Sequence, residues 1–215
     1  MSWEVTALTA GRKVDFRDGE RSAIAKWPIA GTVHVGTLAL GEDQQADSVN
    51  HGGPDMAVHQ YPADHMEFWR AAIGDHPLLN EPGAFGSNLY VTGLLEDDVF
   101  LGDRFRLGTA VLEVCQPRKP CWKIEHRFDQ KGMVAKILGS GRCGWFYRVI
   151  EEGEAKAGDM LERISRGDTE WSIRTMFDAL WGISTPQDKQ LLAKLAAHEL
   201  LPEKLRAKIL PLIES

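Results

Sequence analysis

The feature that most constrains this chain is the spacing of its short apolar runs. Before residue 165, β-rich runs at 3–8, 33–40, 88–92, 105–107, 110–115 and 144–150 are punctuated by Gly, Asp and Pro. Short runs separated by turn residues suit a closed barrel or a sandwich rather than long helices. Gly102-Asp103, between Val99-Phe100-Leu101 and Phe105-Arg106-Leu107, predicts a hairpin turn. Two helices interrupt the pattern. One opens at Pro62 and places Met66, Trp69 and Ile73 on one face; the other, over about 129–138, aligns Val134 with Ile137 and Leu138.

The rhythm changes after Arg166-Gly167-Asp168. Three helix-length segments follow. The first covers about 170–181 and ends at Gly182. The second opens with Thr185-Pro186-Gln187-Asp188, a capping residue followed by proline at the first helical position, and carries Leu191, Leu192 and Leu195. The third opens at Pro202 with Leu205, Ile209 and Leu212 on one stripe. A segment of roughly 48 residues holds little core of its own, so these helices are expected to dock on the preceding unit or on a second copy as a homodimer contact. The expected organisation is a mostly β unit over 1–165 and a small three-helix unit over 166–215.

Composition narrows the function classes. The 215 residues include 25 Lys plus Arg against 31 Asp plus Glu, a formal charge of −6. That balance argues against a nucleic-acid polymer or an anionic membrane as the main partner. No apolar run approaches the ~18 residues of a membrane helix. The N-terminus MSWEVTALTAGRK lacks the basic and apolar regions of a secretion signal, so a cytoplasmic location is expected. Cys115, Cys121 and Cys143 form no C-x-x-C pair, which leaves zinc ribbons and iron–sulfur ligand sets unsupported. No P-loop, dinucleotide fingerprint, nucleophile elbow or zinc-protease helix occurs.

Four segments could carry chemistry. The densest is Gln116-Pro117-Arg118-Lys119-Pro120-Cys121-Trp122-Lys123, which follows the apolar run 110–115. Arg118, Lys119 and Lys123 lie within three residues of Cys121, and nearby positive charge favours thiolate, the form that attacks or binds metal. The plainer reading is a small thiol among surface charges. Cys115 reads as core or strand edge, and Cys143 has only Arg142 to suggest more. His51-Gly52-Gly53 could let backbone N–H groups approach a ligand, with His51 as donor or acid; taken alone, an ordinary turn is the plainer reading. Phe85-Gly86-Ser87-Asn88 brings a glycine loop into a strand, with Asn88 at its entry; turn chemistry is the alternative. Lys26, in Ser22-Ala23-Ile24-Ala25-Lys26, is either an inward phosphate contact or a solvated edge lysine.

Taken in order, Ser22-Ala23-Ile24-Ala25-Lys26, Asp43-Gln44-Gln45-Ala46-Asp47, His51-Gly52-Gly53, Ala57-Val58-His59-Gln60-Tyr61-Pro62, Phe85-Gly86-Ser87-Asn88-Leu89, Gly102-Asp103 and Gln116-Pro117-Arg118-Lys119-Pro120-Cys121 resemble the MOSC domain, named for the C-terminal domain of molybdenum cofactor sulfurase. The resemblance covers roughly residues 3–165 and points to the stand-alone, YiiM-like bacterial branch. The chain departs from the family pattern at Ser87, where the family has an acid, and at Glu42, where it has glycine.

The resemblance implies a MOSC-type β-barrel followed by a small C-terminal three-helix domain, and a bound molybdenum cofactor (molybdopterin). By motif, Cys121 would be the thiolate on the metal. Gly52, Gly53, Phe85, Gly86 and Asn88 would line the cofactor pocket, Arg118 and Lys26 would hold its phosphate, and His51 would line the pocket and donate a proton. The implied activity is reduction of small N-hydroxylated compounds, base analogues such as hydroxylaminopurine, with electrons from a separate flavoprotein or an iron–sulfur or haem protein. Two other readings stand beside it: a sulfur carrier or cofactor-handling module with a persulfide on Cys121, and a non-enzymatic interaction protein.

Overall fold

A computed structural model gives the fold, described for residues 1–17, 19–47, 52–183 and 187–214. In chain order the elements are β1 (Ser2–Ala10), β2 (Val14–Arg17), β3 (Glu20–Ser22), β4 (Trp27–Pro28), β5 (Val33–Val35), β6 (Val58–Gln60), α1 (His65–Ile73), β7 (Leu89–Val91), β8 (Arg104–Leu107), β9 (Ala110–Pro117), α2 (Lys123–Arg127), α3 (Met133–Ser140), β10 (Trp145–Glu151), β11 (Gly153–Ala155), β12 (Met160–Ser165), α4 (Ile173–Trp181), α5 (Lys189–Ala197) and α6 (Glu203–Glu214).

Seven strands close a ring in the order β1-β12-β8-β9-β10-β6-β7 and back to β1, with β4 added beyond β1. All pairings are antiparallel except β6 with β7. Closure removes the sheet edges that would otherwise template aggregation. It needs strong local twist, and register shifts between Val5 and Ala7 on β1 and along β10 supply it. The barrel is mostly β with helices, as the spacing of the short runs predicts.

Strand β9 is buried at every position rather than at alternate ones. One reason is that helix α4 lies against it. Its only carboxylate, Glu113, is neutralised by Arg104 at 2.8 Å and Arg148 at 3.4 Å. Beneath the neighbouring loops, Phe85 stacks on Tyr61 at 4.1 Å and packs on Trp69 and Phe128, while Trp69 Nε1 donates to Tyr61 Oη at 2.6 Å. This aromatic block fixes the loop before β7 from below.

Two local expectations change. The helix expected over about 129–138 is α3, which starts later, at Met133 after Gly132, whose φ of 83° is left-handed, and a separate short helix, α2, precedes it. Glu125 caps the second by accepting from Gly132 N and Val134 N at 3.0 and 3.1 Å. Gly102-Asp103 is a turn, but not of a hairpin between its flanking runs. The hairpin partner of β8 is β9, joined through Gly108-Thr109. Val99–Leu101 instead bonds the linker to the tail: Ile173 N donates to Val99 O at 2.8 Å, Leu101 N to Trp171 O at 2.9 Å, and Asp168 N to Leu101 O at 2.9 Å.

Asp103 explains why. Fully buried, it accepts from Phe100 N at 3.1 Å and Gly167 N at 2.7 Å, and pairs with Arg163 at 3.2 Å. Gly167 is required there, since a Cβ would sit 2.1 Å from Leu101 O. The tail helices dock on the barrel. Ser172 caps α4 by accepting from Thr175 N at 3.0 Å, and Asp188 caps α5. Trp171, Ile173, Met176, Phe177, Leu192, Leu195, Leu205 and Ile209 join the barrel residues in one continuous core. Leu212 stays exposed. Thr185 and Pro186, expected to open α5, lie outside the described residues. Among the described residues no helix is long and apolar enough to cross a membrane.

Candidate functional site

The site forms where β9 leaves the barrel. Pro117 and Pro120 stop the strand, and Arg118 N donates to Gly144 O at 3.0 Å, which holds the loop against β10. Cys121 O then accepts from Ile124 N at 3.1 Å as α2 begins. Cys121 therefore sits at a strand-to-helix corner, half-buried, with no disulfide.

A cavity of about 110 Å³ opens beside it, lined among others by Lys26, Asp43, His59, Gly86, Arg118 and Cys121. A second chamber of about 260 Å³ lies between the same loop and the tail helices, and shares Met56, Arg118, Cys121 and Phe146 with the first. Cys121 stands at their junction.

The first cavity is built by interlocked buried polar groups. Lys26 is ion-paired with Asp43, both nearly inaccessible. Burial lowers the Lys26 pKa, and the Asp43 charge opposes that shift. The Asp43 carboxylate also accepts from Gly11 N at 2.7 Å and from Asn88 Nδ2 at 2.9 Å. Asn88 is a latch. Its Oδ1 accepts from His59 N at 2.9 Å, and its Nδ2 reaches Thr9 O at 3.0 Å. Ser87 is buried and contributes its backbone carbonyl to the Thr9 hydroxyl. Glu42, the other departure from the family pattern, is exposed and pairs with Arg12 at 3.0 Å.

Two atoms in this buried set lack partners: Arg118 Nη1 and His59 Nε2. His59 Nδ1 lies 3.0 Å from Gly86 O, so the ring donates through Nδ1–H and keeps a lone pair on Nε2. Burial first, and the Arg118 charge second, hold its pKa well below the usual histidine range. Gly86, with φ of 74°, presents that carbonyl; a Cβ there would press on Ile24 at 3.0 Å.

Of the residues singled out in the sequence, Lys26, Phe85, Gly86, Asn88, Arg118 and Cys121 line this cavity. Gly52 and Gly53 line neither chamber. Gly53 N instead donates to Gln45 Oε1 at 3.2 Å, and Gln45 Nε2 bonds Met56 O at 3.2 Å, so the glycine loop is tied to its neighbour. His51 lies outside the described residues. Asp43 and His59 are site residues that carried no assigned role, although both stand in quoted motifs. A histidine within a buried apolar strand was the available signal for His59. Cys115 and Cys143 are buried, with thiol pKa values pushed up by burial, and neither lines a chamber.

The cavity has the character of a site for an anionic, hydrogen-bonding ligand. Its Lys26 and Asp43 charges offset each other, which leaves Arg118 with an unmet donor. Among the described residues no three His, Cys, Asp or Glu side chains converge on a metal position. A metal held at Cys121 by an organic cofactor would bring other ligands with it.

The family model for the MOSC domain matches residues 47–162. The chain belongs to the MOSC family. It is 42% identical to the uncharacterized protein YflK of Bacillus subtilis (strain 168) over 175 residues, 80% of this chain and 78% of that one. It is 38% identical to protein YiiM of Escherichia coli (strain K12) over 166 residues, 77% and 74% of the two chains. A protein named reductase from Gibberella moniliformis is 38% identical over 71% of this chain, but the match spans only 27% of that longer protein. The crystal structure of YiiM from Geobacillus stearothermophilus superposes with a TM-score of 0.82 at 27% identity, covering 98% of this chain and 99% of that one. The helical tail is thus part of the shared architecture, and this MOSC protein falls in the YiiM-like branch.

Proposed function

We propose that this MOSC protein binds a molybdenum cofactor beside Cys121 and reduces N-hydroxylated compounds, with electrons from a separate redox protein. The observation that carries the reading is one cavity holding Cys121, the unpartnered Arg118 Nη1 and the unpartnered His59 Nε2. The reductase name of the Gibberella relative supports the reaction class.

When bound, the cofactor supplies the two-electron chemistry and a metal soft enough to suit a thiolate. In the overall reaction R–NH–OH takes up two electrons and two protons, the N–O bond breaks, the amine remains and the oxygen leaves as water. The chain's own residues bind, orient and exclude water. Arg118 would hold the cofactor's phosphate through its unmet donor. Lys26, fixed by Asp43, adds a positioned ammonium at the same wall. His59 would accept a hydrogen bond from a cofactor N–H at Nε2. Its depressed pKa keeps it neutral near pH 7, so it positions rather than supplies protons. Phe146, packed on the His59 ring at 4.9 Å, forms an apolar wall next to Cys121. A reducing cytoplasm would keep Cys121 as thiol or thiolate.

The test is reduction of hydroxylaminopurine to adenine by molybdenum-loaded protein with a chemically reduced viologen as donor. Wild type is expected to turn over. Cys121→Ser is expected to lose about 100-fold or more, the upper end of what even an outer-shell change costs at a metal site. Full activity in the variant would sink the assignment.

A further inference from the structure

Tail helices α4 and α6 complete the second chamber, which the reading above leaves without a role. Its lining combines Lys119, Lys204 and Lys208 with Arg118, and no carboxylate among the described residues. This is a marked local imbalance in a chain with more acids than bases. Lys204 and Lys208 are one turn apart on α6, on the same face as buried Leu205. Lys204 also reaches toward the barrel, with Nζ 3.6 Å from where a Cβ on Gly53 would lie.

The remaining walls are aromatic and apolar. Trp181, Phe146, Met56 and Leu205 face the chamber, and the Lys119 ammonium lies 5.7 Å from the Trp181 ring centroid. A planar base could pack on such walls while a phosphate meets the lysines. The chamber is the roomier of the two, about 260 against 110 Å³, and it meets the first at Cys121.

We propose that this chamber is a nucleotide subsite: Lys119, Lys204 and Lys208 bind the phosphate of a nucleoside 5′-phosphate whose base lies toward Cys121. The inference rests on the proposed reductase function and names its substrate class as N-hydroxylated nucleotides in preference to free bases. The tail is then a specificity element of the site.

Adenosine 5′-monophosphate is an unreactive probe, so binding can be read without turnover. Calorimetric titration of the full-length protein, expressed in a cofactor-competent host, compares this nucleotide with adenosine and with inorganic phosphate. The nucleotide is expected to bind at least about tenfold more tightly than either, with an affinity that falls as salt rises. Lys204→Gln/Lys208→Gln, exposed helix positions given a good helix former, should remove that advantage, leave adenosine binding unchanged and retain molybdenum. Lys119→Gln is expected to act in the same direction. Equal affinity for nucleotide and nucleoside overturns the subsite, as does an advantage that survives both variants. Inorganic phosphate binding as tightly as the nucleotide shows an anion site with no nucleotide preference and also overturns it. Molybdenum lost in the double variant would assign the lysines to the cofactor instead. Wild-type protein without molybdenum that still shows the phosphate-dependent difference would count against the reductase reading while supporting the chamber as a nucleotide site.

Discussion

Asp43 does more than balance Lys26. It holds Gly11 N, Asn88 Nδ2 and the Lys26 ammonium together at one wall of the cavity. Replacing it by alanine leaves a buried lysine charge uncompensated, which costs roughly 3–5 kcal/mol. Asp43→Ala is therefore expected to lower the unfolding free energy measured by chemical denaturation by that amount, and a change below about 1 kcal/mol would show that the pair behaves as a surface ion pair. His59 makes a different prediction. Its folded-state pKa lies below the unfolded value. Above roughly pH 6.5 both states carry the neutral ring and it adds no pH dependence. Below that, only the unfolded chain takes the proton, so stability falls with pH by at most about 1.4 kcal/mol per unit. Unfolding of cofactor-free protein between pH 7 and 5 should show a shallower slope in His59→Phe than in wild type; parallel curves would contradict the assignment. Cys121 and Arg118 were legible in the sequence because their neighbours are contiguous in it. The Lys26–Asp43–Asn88–His59 network was not, because it joins four separate segments through buried polar bonds that no local pattern records.

At the scale of elements, β9 and its exit loop carry the site. The prolines that end the strand, the Arg118 N to Gly144 O bond and the start of α2 together aim Cys121 at the cavity. That much follows from the local sequence, since proline punctuation and a following short helix are local events. The role of Gly102-Asp103 does not. Read locally it is a hairpin turn; in the fold Asp103 is buried and spends its carboxylate on the linker to the tail and on Arg163. The competing partner lies about sixty residues away, out of reach of any short-range signal. Asp103→Ala should destabilise the protein by about 3 kcal/mol or more, because it leaves Gly167 N and Phe100 N without an acceptor and Arg163 without its partner. The unfolding should remain a single transition, since barrel and tail share a core. Early loss of helical signal in the variant, with the barrel intact, would instead show that the tail is held by this linker alone.

At the scale of the molecule, the closed barrel and the helical tail enclose a chamber that Cys121 lines. The mostly β character and the three tail helices agree with the spacing of the apolar runs in the chain. The docking of the tail was open to two answers from sequence, since an apolar helix face fits a barrel or a second copy equally well; in the fold α4 lies against β9, and Leu192, Leu205 and Ile209 belong to one continuous core with the barrel residues. On the proposed function, Cys121 faces a molybdenum cofactor in the cavity it shares with Arg118 and His59. The most direct test is metal analysis of protein purified from a cofactor-competent host, wild type beside Cys121→Ser. Near-stoichiometric molybdenum in wild type that falls sharply in the variant is the predicted result. Molybdenum absent from both, in a host whose other molybdenum enzymes are loaded, would contradict it.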